Sequence, residues 1–276
     1  MEDLTVDYPT HQPPIPQPLH IIITGASSGI GAAAAKEMAR RGWRVTAVGR
    51  DQRRLADFEG VPGTTALRCD FTRLSEVRDL ARELAGQRID VLANNAGGVF
   101  RGSTVDGFDV TMQTNHIAPF LLTHLLLPQL PDGARIVNTT SVASGGGTDP
   151  TRYLSRVPSR RFRSSWLAYG TSKKANILFT AEAARRWPHL YSVCFHPGVV
   201  RTRFGTPAAQ LFYRIAPGLA SPESAARQLV WLATEPAERL VNGALYVSYR
   251  VTKPPGVATD EAAASRLWEA TASLVD

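Results

Sequence analysis

The feature that most constrains the fold is a Gly-rich turn between an apolar run and an Ala-rich stretch, residues 19–31, which read LHIIITGASSGIG. The Ile-dense run predicts a strand buried on both faces, and the Ala-rich sequence predicts a helix. Gly25, Gly29 and Gly31 allow a sharp turn and close approach to a ligand phosphate at the helix N-terminus. The spacing, TGxxxGxG, is neither a P-loop nor GxGxxG. It predicts a phosphate-binding turn, with a glycine-rich turn that binds nothing as the alternative.

Composition excludes several classes of protein. With 276 residues, 43% hydrophobic and 20% charged, the chain can bury a sizeable core as one α/β domain. The formal net charge is +7, but no Lys/Arg block is interleaved with aromatic residues, so no nucleic-acid partner is expected. The longest apolar stretch, residues 117–127, is too short for a membrane span. Cys69 and Cys194 fall in predicted strands, which indicates buried thiols in a reducing compartment. No signal peptide is visible, and a cytoplasmic location is expected.

The order of the segments predicts the architecture. Residues 1–18 hold five prolines and are expected to be a flexible tail, and residues 19–276 form one domain. After the first strand, further strands are predicted at 43–49, 64–69, 89–93, 134–139, 191–195 and 244–249. Helical segments alternate with them, which predicts a doubly wound (Rossmann) domain with a parallel sheet of about seven strands and helices on both faces. Ligands of such sheets bind at the carboxyl ends of the strands, where Gly25, Arg50, Asp70, Asn94 and Ser141 fall.

Tyr169 and Lys173 are candidates for proton transfer. They are four residues apart in a helix predicted over 166–186, so both side chains project from one face. A phenol is a poor base at neutral pH unless a nearby cation favours its phenolate. Lys173 supplies that cation, and Tyr169 could then exchange a proton with a substrate oxygen during hydride transfer. The alternative is a surface Tyr and Lys that share a helix.

Six motifs occur in a characteristic order: TGASSGIG at 24–31, NNAG at 94–97, QTNHIAPF around Asn115, NTTSVAS around Ser141, YGTSK at 169–173 and HPGVVRT at 196–202. Together they resemble the short-chain dehydrogenase/reductase superfamily, from residue 19 onward. The chain is most similar to the retinol-dehydrogenase-like group. That similarity lies in the insertion at 145–165 between Ser141 and Tyr169, SKKANILFT at 172–180, the HPGVV turn and the terminal SRLWEATASLV.

This resemblance implies an oxidoreductase that interconverts an alcohol and its ketone or aldehyde, on a hydrophobic substrate, with a homo-oligomer possible. Ser141 would hydrogen-bond the substrate oxygen, and Tyr169 would exchange the proton. Lys173 would hold the nicotinamide ribose, and Asn115 would fix a helix distortion and a water. Ser141 as a turn residue and Asn115 as a helix cap are the alternatives. The implied cofactor residues are Gly25, Ser27, Ser28, Gly29, Ile30, Gly31, Arg50, Asp70, Phe71, Asn94, Ala96, Gly97, Tyr169, Lys173, Pro197, Gly198, Val199 and Thr202.

The end of the second strand bears on the choice of cofactor. In dinucleotide folds an acid there accepts from the ribose 2′-OH, whereas an arginine suits a 2′-phosphate. Here Gly49 leaves room for the phosphate, and Arg50 can bind it with two charge-assisted hydrogen bonds. NADP(H) is therefore expected over NAD(H), together with a bias toward carbonyl reduction. Asp51 swinging inward, or Arg50 as a plain surface residue, would reverse this, and Ser27 supplies no second cation.

Three further expectations concern what the site lacks and what competes with it. The histidines show no metal-ligand spacing, so no metal is predicted, and His116 and His196 are interpreted as structural neighbours of the site. The Arg-rich segment 152–163 is interpreted as a solvated loop or partial lid rather than an anion-binding patch. A non-catalytic dinucleotide sensor on the same fold is the main alternative function, and a peripheral-membrane protein is another.

Overall fold

The computed structural model describes residues 18–154, 164–200, 219–255 and 260–275. Apart from Pro18, the predicted tail lies outside these ranges, as does most of the Arg-rich segment. Within them, the chain forms one sheet, whose strands are β1 (His20–Thr24), β2 (Arg44–Gly49), β3 (Thr64–Arg68), β4 (Val91–Asn94), β5 (Arg135–Thr139), β6 (Tyr191–His196), β7 (Leu245–Val247) and β8 (Arg250–Thr252).

The strand order is β3-β2-β1-β4-β5-β6-β7-β8. The first seven strands are parallel, which confirms the predicted doubly wound sheet, and β8 pairs antiparallel with β7. The sequence predicted one last strand over 244–249. The structure instead makes a tight hairpin there, because Ser248 and Tyr249 both adopt positive φ angles, 49° and 66°, which turn the chain back.

Helices cover both faces of the sheet. They are α1 (Gly29–Arg40), α2 (Gln52–Leu55), α3 (Leu74–Glu83), α4 (Val110–Met112), α5 (Ala118–Leu126), α6 (Ser165–Arg186), α7 (Pro222–Thr234) and α8 (Glu261–Val275). Two apolar cores result. Helices α1 and α7 pack on one side, against strand residues such as Ile23 and Val137. Helices α3, α5, α6 and α8 pack on the other, against Ile22 and Leu92. Strand side chains are thus buried on both faces, as the Ile-dense first strand predicted.

Residues 108–130 do not form a single α-helix. Asp109 caps the start of α4, accepting from the backbone N–H groups of Thr111 and Met112. After α4 the backbone widens into a π-helical turn, Gln113–Ile117, before α5 begins. Pro119 lies in the first turn of α5, where a missing N–H is tolerated. The distortion therefore falls just before the proline, at Asn115.

The strand order reverses between β1 and β4, because the chain runs outward from β1 to β3 and then returns to the other side of β1. Such a reversal leaves a crevice at the carboxyl ends of the strands. The Gly-rich turn after β1 and the NNAG segment after β4 both border it. In the part of the chain that the structure describes, no helix is long and apolar enough to cross a bilayer.

Candidate active site

The Gly-rich turn is built by close backbone packing. Gly25 has a φ of 72°, and a Cβ on Gly31 would lie 2.5 Å from the Gly25 carbonyl oxygen. Asn95 Nδ2 donates to the Thr24 carbonyl at 2.9 Å and braces the same turn. Ser28, the N-cap of α1, makes no side-chain capping bond, and the first turn of α1 carries no acid. The N–H groups of α1 therefore face the crevice without a side-chain partner, as a phosphate site requires.

An open cavity of about 1450 Å³ runs along the carboxyl edge of the sheet. It brings together most of the predicted site residues: Gly25, Ser27, Ser28, Gly29, Ile30, Arg50, Asp70, Phe71, Ala96, Gly97, Ser141, Tyr169, Lys173, Pro197, Gly198 and Val199. Gly31, Asn94 and Asn115 lie behind its wall. Thr202 lies outside the described residues.

Basic groups gather at the β2 end of the cavity. Arg50 lies over the Phe100 ring, 5.6 Å from its centroid, and Arg53 also lines this end. Asp51 also lines this end of the cavity, and its carboxylate is paired with Arg54 at 3.1 Å. Among the described residues, neither Arg50 nor Arg53 has a carboxylate partner. The local structure thus leaves two cations for an anionic ligand.

One prediction for this end needs qualification. A Cβ on Gly49 would lie 2.9 Å from the Ser27 Cβ, so the space beside Gly49 is occupied by Ser27 and is not open. Asp70 lines the cavity beside Phe71, and its Oδ1 accepts from the N–H and hydroxyl of Thr72 at 3.0 and 2.9 Å. These bonds hold the carboxylate in place at the exit of β3.

Tyr169 and Lys173 lie one turn apart on α6, and both line the cavity. Lys173 Nζ is 5.7 Å from the centroid of the Tyr169 ring and donates to the Thr139 carbonyl at 2.8 Å. Burial lowers the pKa of Lys173 from 10.5 to about 8, because the ammonium has lost its water. At neutral pH the lysine is still protonated, and a cation at this distance favours the phenolate of Tyr169.

Ser141 follows β5 and lines the cavity on the same side as Tyr169. Its Oγ accepts from the Ala143 N–H at 3.2 Å and caps a short 3₁₀ turn, Val142–Gly146. The alternative of a turn residue is therefore true as well. It does not compete with a role in binding, because the hydroxyl still has its own proton to donate.

Asn115 lies inside the π-helical turn and does not cap a helix. Its Oδ1 accepts from the Gly98 N–H at 2.9 Å, and its Nδ2 donates to the Gly98 carbonyl and to Ser172 Oγ, at 3.0 and 2.9 Å. Ser172 Oγ in turn donates to the Tyr169 carbonyl at 2.8 Å. The amide thus ties Gly98, which directly follows the NNAG segment, to the helix that carries Tyr169 and Lys173.

Asn94 points away from the cavity. Its Nδ2 donates to Thr123 Oγ1 and Asn138 Oδ1, both at 3.0 Å, in a buried network behind β4. Gly31 likewise shapes the turn from behind.

The mouth of the cavity near Tyr169 is apolar. Val142, Trp166 and Val199 line it, and their exposed fractions are 61%, 43% and 51%. The Trp166 ring meets the Tyr169 ring edge to face at 5.9 Å. Apolar side chains exposed around a polar centre are typical of a site for an apolar molecule.

Several site residues were missed from the sequence. Thr24, Asn95 and Thr139 act through hydrogen bonds that no spacing reveals, although all three lie within motifs quoted above. Arg53 lies shortly after the predicted end of the second strand, and Trp166 is the first residue of a predicted helix. Both positions could have been predicted to lie at the site on that basis. Cys69 and Cys194 are both free and buried. Among the described residues, no three His, Cys, Asp or Glu side chains are grouped to hold a metal.

Comparison with known proteins identifies relatives. A family model described as short chain dehydrogenase matches residues 19–153. "Putative daunorubicin C-13 ketoreductase DnrU" of Streptomyces sp. (strain C5) is 44% identical over 266 residues, 92% of each chain. Human retinol dehydrogenase 13 is 34% identical over 283 residues, 92% of this chain and 84% of the relative. A short chain dehydrogenase from Burkholderia cenocepacia J2315, solved in complex with NADP, is 26% identical with a TM-score of 0.65, covering 83% of this chain and 95% of that one.

Proposed function

The chain belongs to the short-chain dehydrogenase family, with retinol-dehydrogenase-like similarity as the sequence indicated, and on that premise we propose that it is an NADP(H)-dependent reductase of hydrophobic ketones or aldehydes, with Tyr169 as the acid/base. It is an oxidoreductase of a fold that binds a nicotinamide dinucleotide. The observation that carries the proposal is the buried Lys173 ammonium, 5.7 Å from the centroid of the Tyr169 ring in the floor of the cavity.

The residues divide the proton chemistry between them. When bound, the reduced cofactor supplies a hydride to the carbonyl carbon of the substrate. Tyr169 donates its phenolic proton to the carbonyl oxygen, and Lys173 stabilises the phenolate that is left. Ser141 Oγ accepts a hydrogen bond from the Ala143 N–H, and its hydroxyl donates a hydrogen bond to the same substrate oxygen. Two electrons and two hydrogen nuclei reach the substrate, which leaves as the alcohol.

Replacing Tyr169 tests this assignment. Tyr169→Phe removes the transferable proton and keeps the ring that packs against Trp166, so we expect kcat to fall at least about a hundredfold, the lower end for a positioned acid/base. NADPH affinity, followed by quenching of protein fluorescence, should stay near that of the wild type. The substrates are a panel of hydrophobic ketones and aldehydes, with absorbance followed at the reduced-nicotinamide band. Ordinary turnover by the variant would contradict the catalytic role, and an inactive wild type that binds NADPH would favour a sensor.

Preference for NADP(H) is supported by the charges at the β2 end. Arg50 and Arg53 line the cavity, and Arg54 holds the Asp51 carboxylate. A carboxylate placed to accept from a 2′-hydroxyl would favour NAD(H), whereas unpaired guanidinium groups favour the 2′-phosphate. The relative from Burkholderia was solved with NADP, which agrees with this choice.

The cofactor preference is tested by comparing kcat/KM for NADPH and NADH in the wild type and in Arg50→Ala. We expect the variant to lose about tenfold or more with NADPH and little with NADH, since a charge-assisted bond to the phosphate is lost. Arg40→Ala, at the far end of α1, is the control. A wild type that prefers NADH, or an unchanged preference in the variant, would refute the assignment.

A hydrophobic carbonyl substrate is supported by the apolar mouth formed by Val142, Trp166 and Val199. The relatives point the same way, since one is named for reduction of a ketone and the other for retinol. A small polar carbonyl compound would leave this apolar surface in contact with water. We therefore expect kcat/KM to rise with the apolar area of the ketone.

A further inference from the structure

His116 connects the π-helical turn to the last helix of the chain. It follows Asn115, is 2% exposed, and its Nε2 lies 3.1 Å from Thr271 Oγ1 of α8. Thr271 is itself fully buried. The two residues are 155 positions apart in sequence.

The direction of this hydrogen bond follows from the network. Thr271 Oγ1 donates its only proton to the Leu267 carbonyl at 2.7 Å, so toward His116 it must act as an acceptor. His116 therefore carries its proton on Nε2. Burial lowers the pKa of His116 to about 4, so the imidazole stays neutral at physiological pH.

Two sets of polar side-chain contacts connect the π-helical turn to α6. The His116 side chain also interacts with that of Asn176, whose Nδ2 donates to the Thr139 carbonyl at 3.3 Å. The same carbonyl oxygen accepts a hydrogen bond from the Lys173 ammonium. On the other route, Asn115 donates to Ser172 Oγ, which donates to the Tyr169 carbonyl.

Helix α8 is firmly held, so it can serve as a reference point for this turn. Trp268 stacks on Phe179 at 5.6 Å with an interplanar angle of 15°, and meets Phe120 edge to face at 5.1 Å. Arg186 covers the indole at 4.9 Å. The two phenylalanine rings belong to α5 and α6, which flank the π-helical turn. Helix α8 lies outside the residues that match a known family model.

We propose that His116 and Thr271 are positioning residues through which the terminal helix α8 sets the π-helical turn and, with it, the placement of Asn115, Tyr169 and Lys173. The inference rests on the proposed function, because it assumes that Tyr169 and Lys173 carry out the proton transfer. Neither His116 nor Thr271 lines the cavity, so their effect is on the chemical step and not on binding.

The test compares Thr271→Val, which keeps the shape and removes the acceptor, with Thr271→Ser, which keeps the hydroxyl. In Thr271→Val we expect kcat per NADPH-binding site to fall about tenfold, since displacements near 1 Å can lower rates a hundredfold. KM for the ketone and Kd for NADPH should change less than about twofold, because positioning acts on kcat alone. Thr271→Ser should restore kcat to within about twofold of the wild type.

The outcomes are distinguishable. A wild-type kcat in Thr271→Val, equal losses in the Val and Ser variants, or a parallel rise in KM would overturn the proposal. Should Thr271→Val fail to fold by circular dichroism, Thr271→Ala carries the same expectation without added bulk, and failure of both would show a purely structural contact. Tyr169→Phe is measured alongside, since its full activity would refute the proposed function, whereas a dead Tyr169→Phe beside a normal Thr271→Val refutes only the positioning role.

Discussion

Lys173 is expected to destabilise the cofactor-free protein, and replacing it with methionine should reveal by how much. Lys173 is 3% exposed, and its ammonium donates to the Thr139 carbonyl. In Lys173→Met that carbonyl keeps a donor, because Asn176 Nδ2 also reaches it at 3.3 Å. The substitution thus removes a buried charge and leaves no orphaned acceptor, the condition under which such changes stabilise a protein.

The magnitude follows from proton linkage. The pKa of Lys173 is lowered from 10.5 to about 8 in the folded protein. Between these values the unfolded chain binds a proton that the folded chain does not, so the free energy of unfolding rises with pH across this window. The full penalty, present below pH 8, is about 3 kcal/mol. From pH 7 to 9.5 about 2 kcal/mol of it is relieved in the wild type. Lys173→Met lacks this dependence, so its advantage of about 3 kcal/mol at pH 7 should shrink to about 1 kcal/mol at pH 9.5.

The assay is urea unfolding of the cofactor-free wild type and Lys173→Met at pH 7 and 9.5. Comparing the two proteins matters because burial raises the pKa of Cys69 and of Cys194 to about 12, so both thiols lower stability as pH rises above 9. The contribution of the two thiols is the same in both proteins, so it cancels in the difference between their free energies of unfolding. Lys36→Met, at an exposed ion pair with Asp57, is the surface control and should change the free energy of unfolding by less than about 1 kcal/mol. A difference in free energy of unfolding that does not change with pH, or a wild type more stable than Lys173→Met at pH 7, would refute the reasoning. The Lys173→Met variant should be inactive at both pH values.

Two further predictions concern the Gly-rich turn and the tail. Gly31→Ala forces a Cβ to within 2.5 Å of the Gly25 carbonyl oxygen, so we expect a loss of about 1–3 kcal/mol in stability and at least about tenfold weaker NADPH binding. Gly146→Ala, where a Cβ meets nothing within 4 Å, is the control, and equal binding by both variants would contradict the packing argument. Deleting residues 2–16 should leave thermal stability and activity close to the wild type, because a Pro-rich segment of this kind is expected to bury little surface. A large loss of either would show that the segment docks on the domain.

The sequence predicted the features that depend on local pattern. The Ile-dense run before the Gly-rich turn predicted the first strand, and the alternation of strands with helices predicted the doubly wound parallel sheet. The hairpin at Ser248 and Tyr249 was missed because non-glycine residues rarely take positive φ. Its conformation is imposed by the pairing of β7 with β8, which is a tertiary contact.

The site shows the same division. Residues that line the cavity were predicted where a strand ends in a distinctive motif, as at Ser141. They were also predicted where a spacing of four residues puts two side chains on one face of a helix, as at Tyr169 and Lys173. Asn94 turns inward because Thr123 and Asn138 offer it buried partners. No property of the NNAG segment alone could show which of its two asparagines faces the crevice. The proposed roles of these residues stay predictions.

The surroundings of Lys173 explain why a buried cation suits this position despite its energetic penalty. The Lys173 ammonium donates to the Thr139 carbonyl, which the Asn176 amide also reaches, and burial alone lowers its pKa. A carboxylate beside Lys173 would raise that pKa and relieve the penalty, but it would also cancel the field that Lys173 exerts on the Tyr169 phenol. The loss of stability and the field on the Tyr169 phenol thus have one cause, a buried ammonium that has no carboxylate partner among the described residues. A variant that places a carboxylate next to Lys173 should therefore raise the pKa of Lys173 and weaken its field on the Tyr169 phenol.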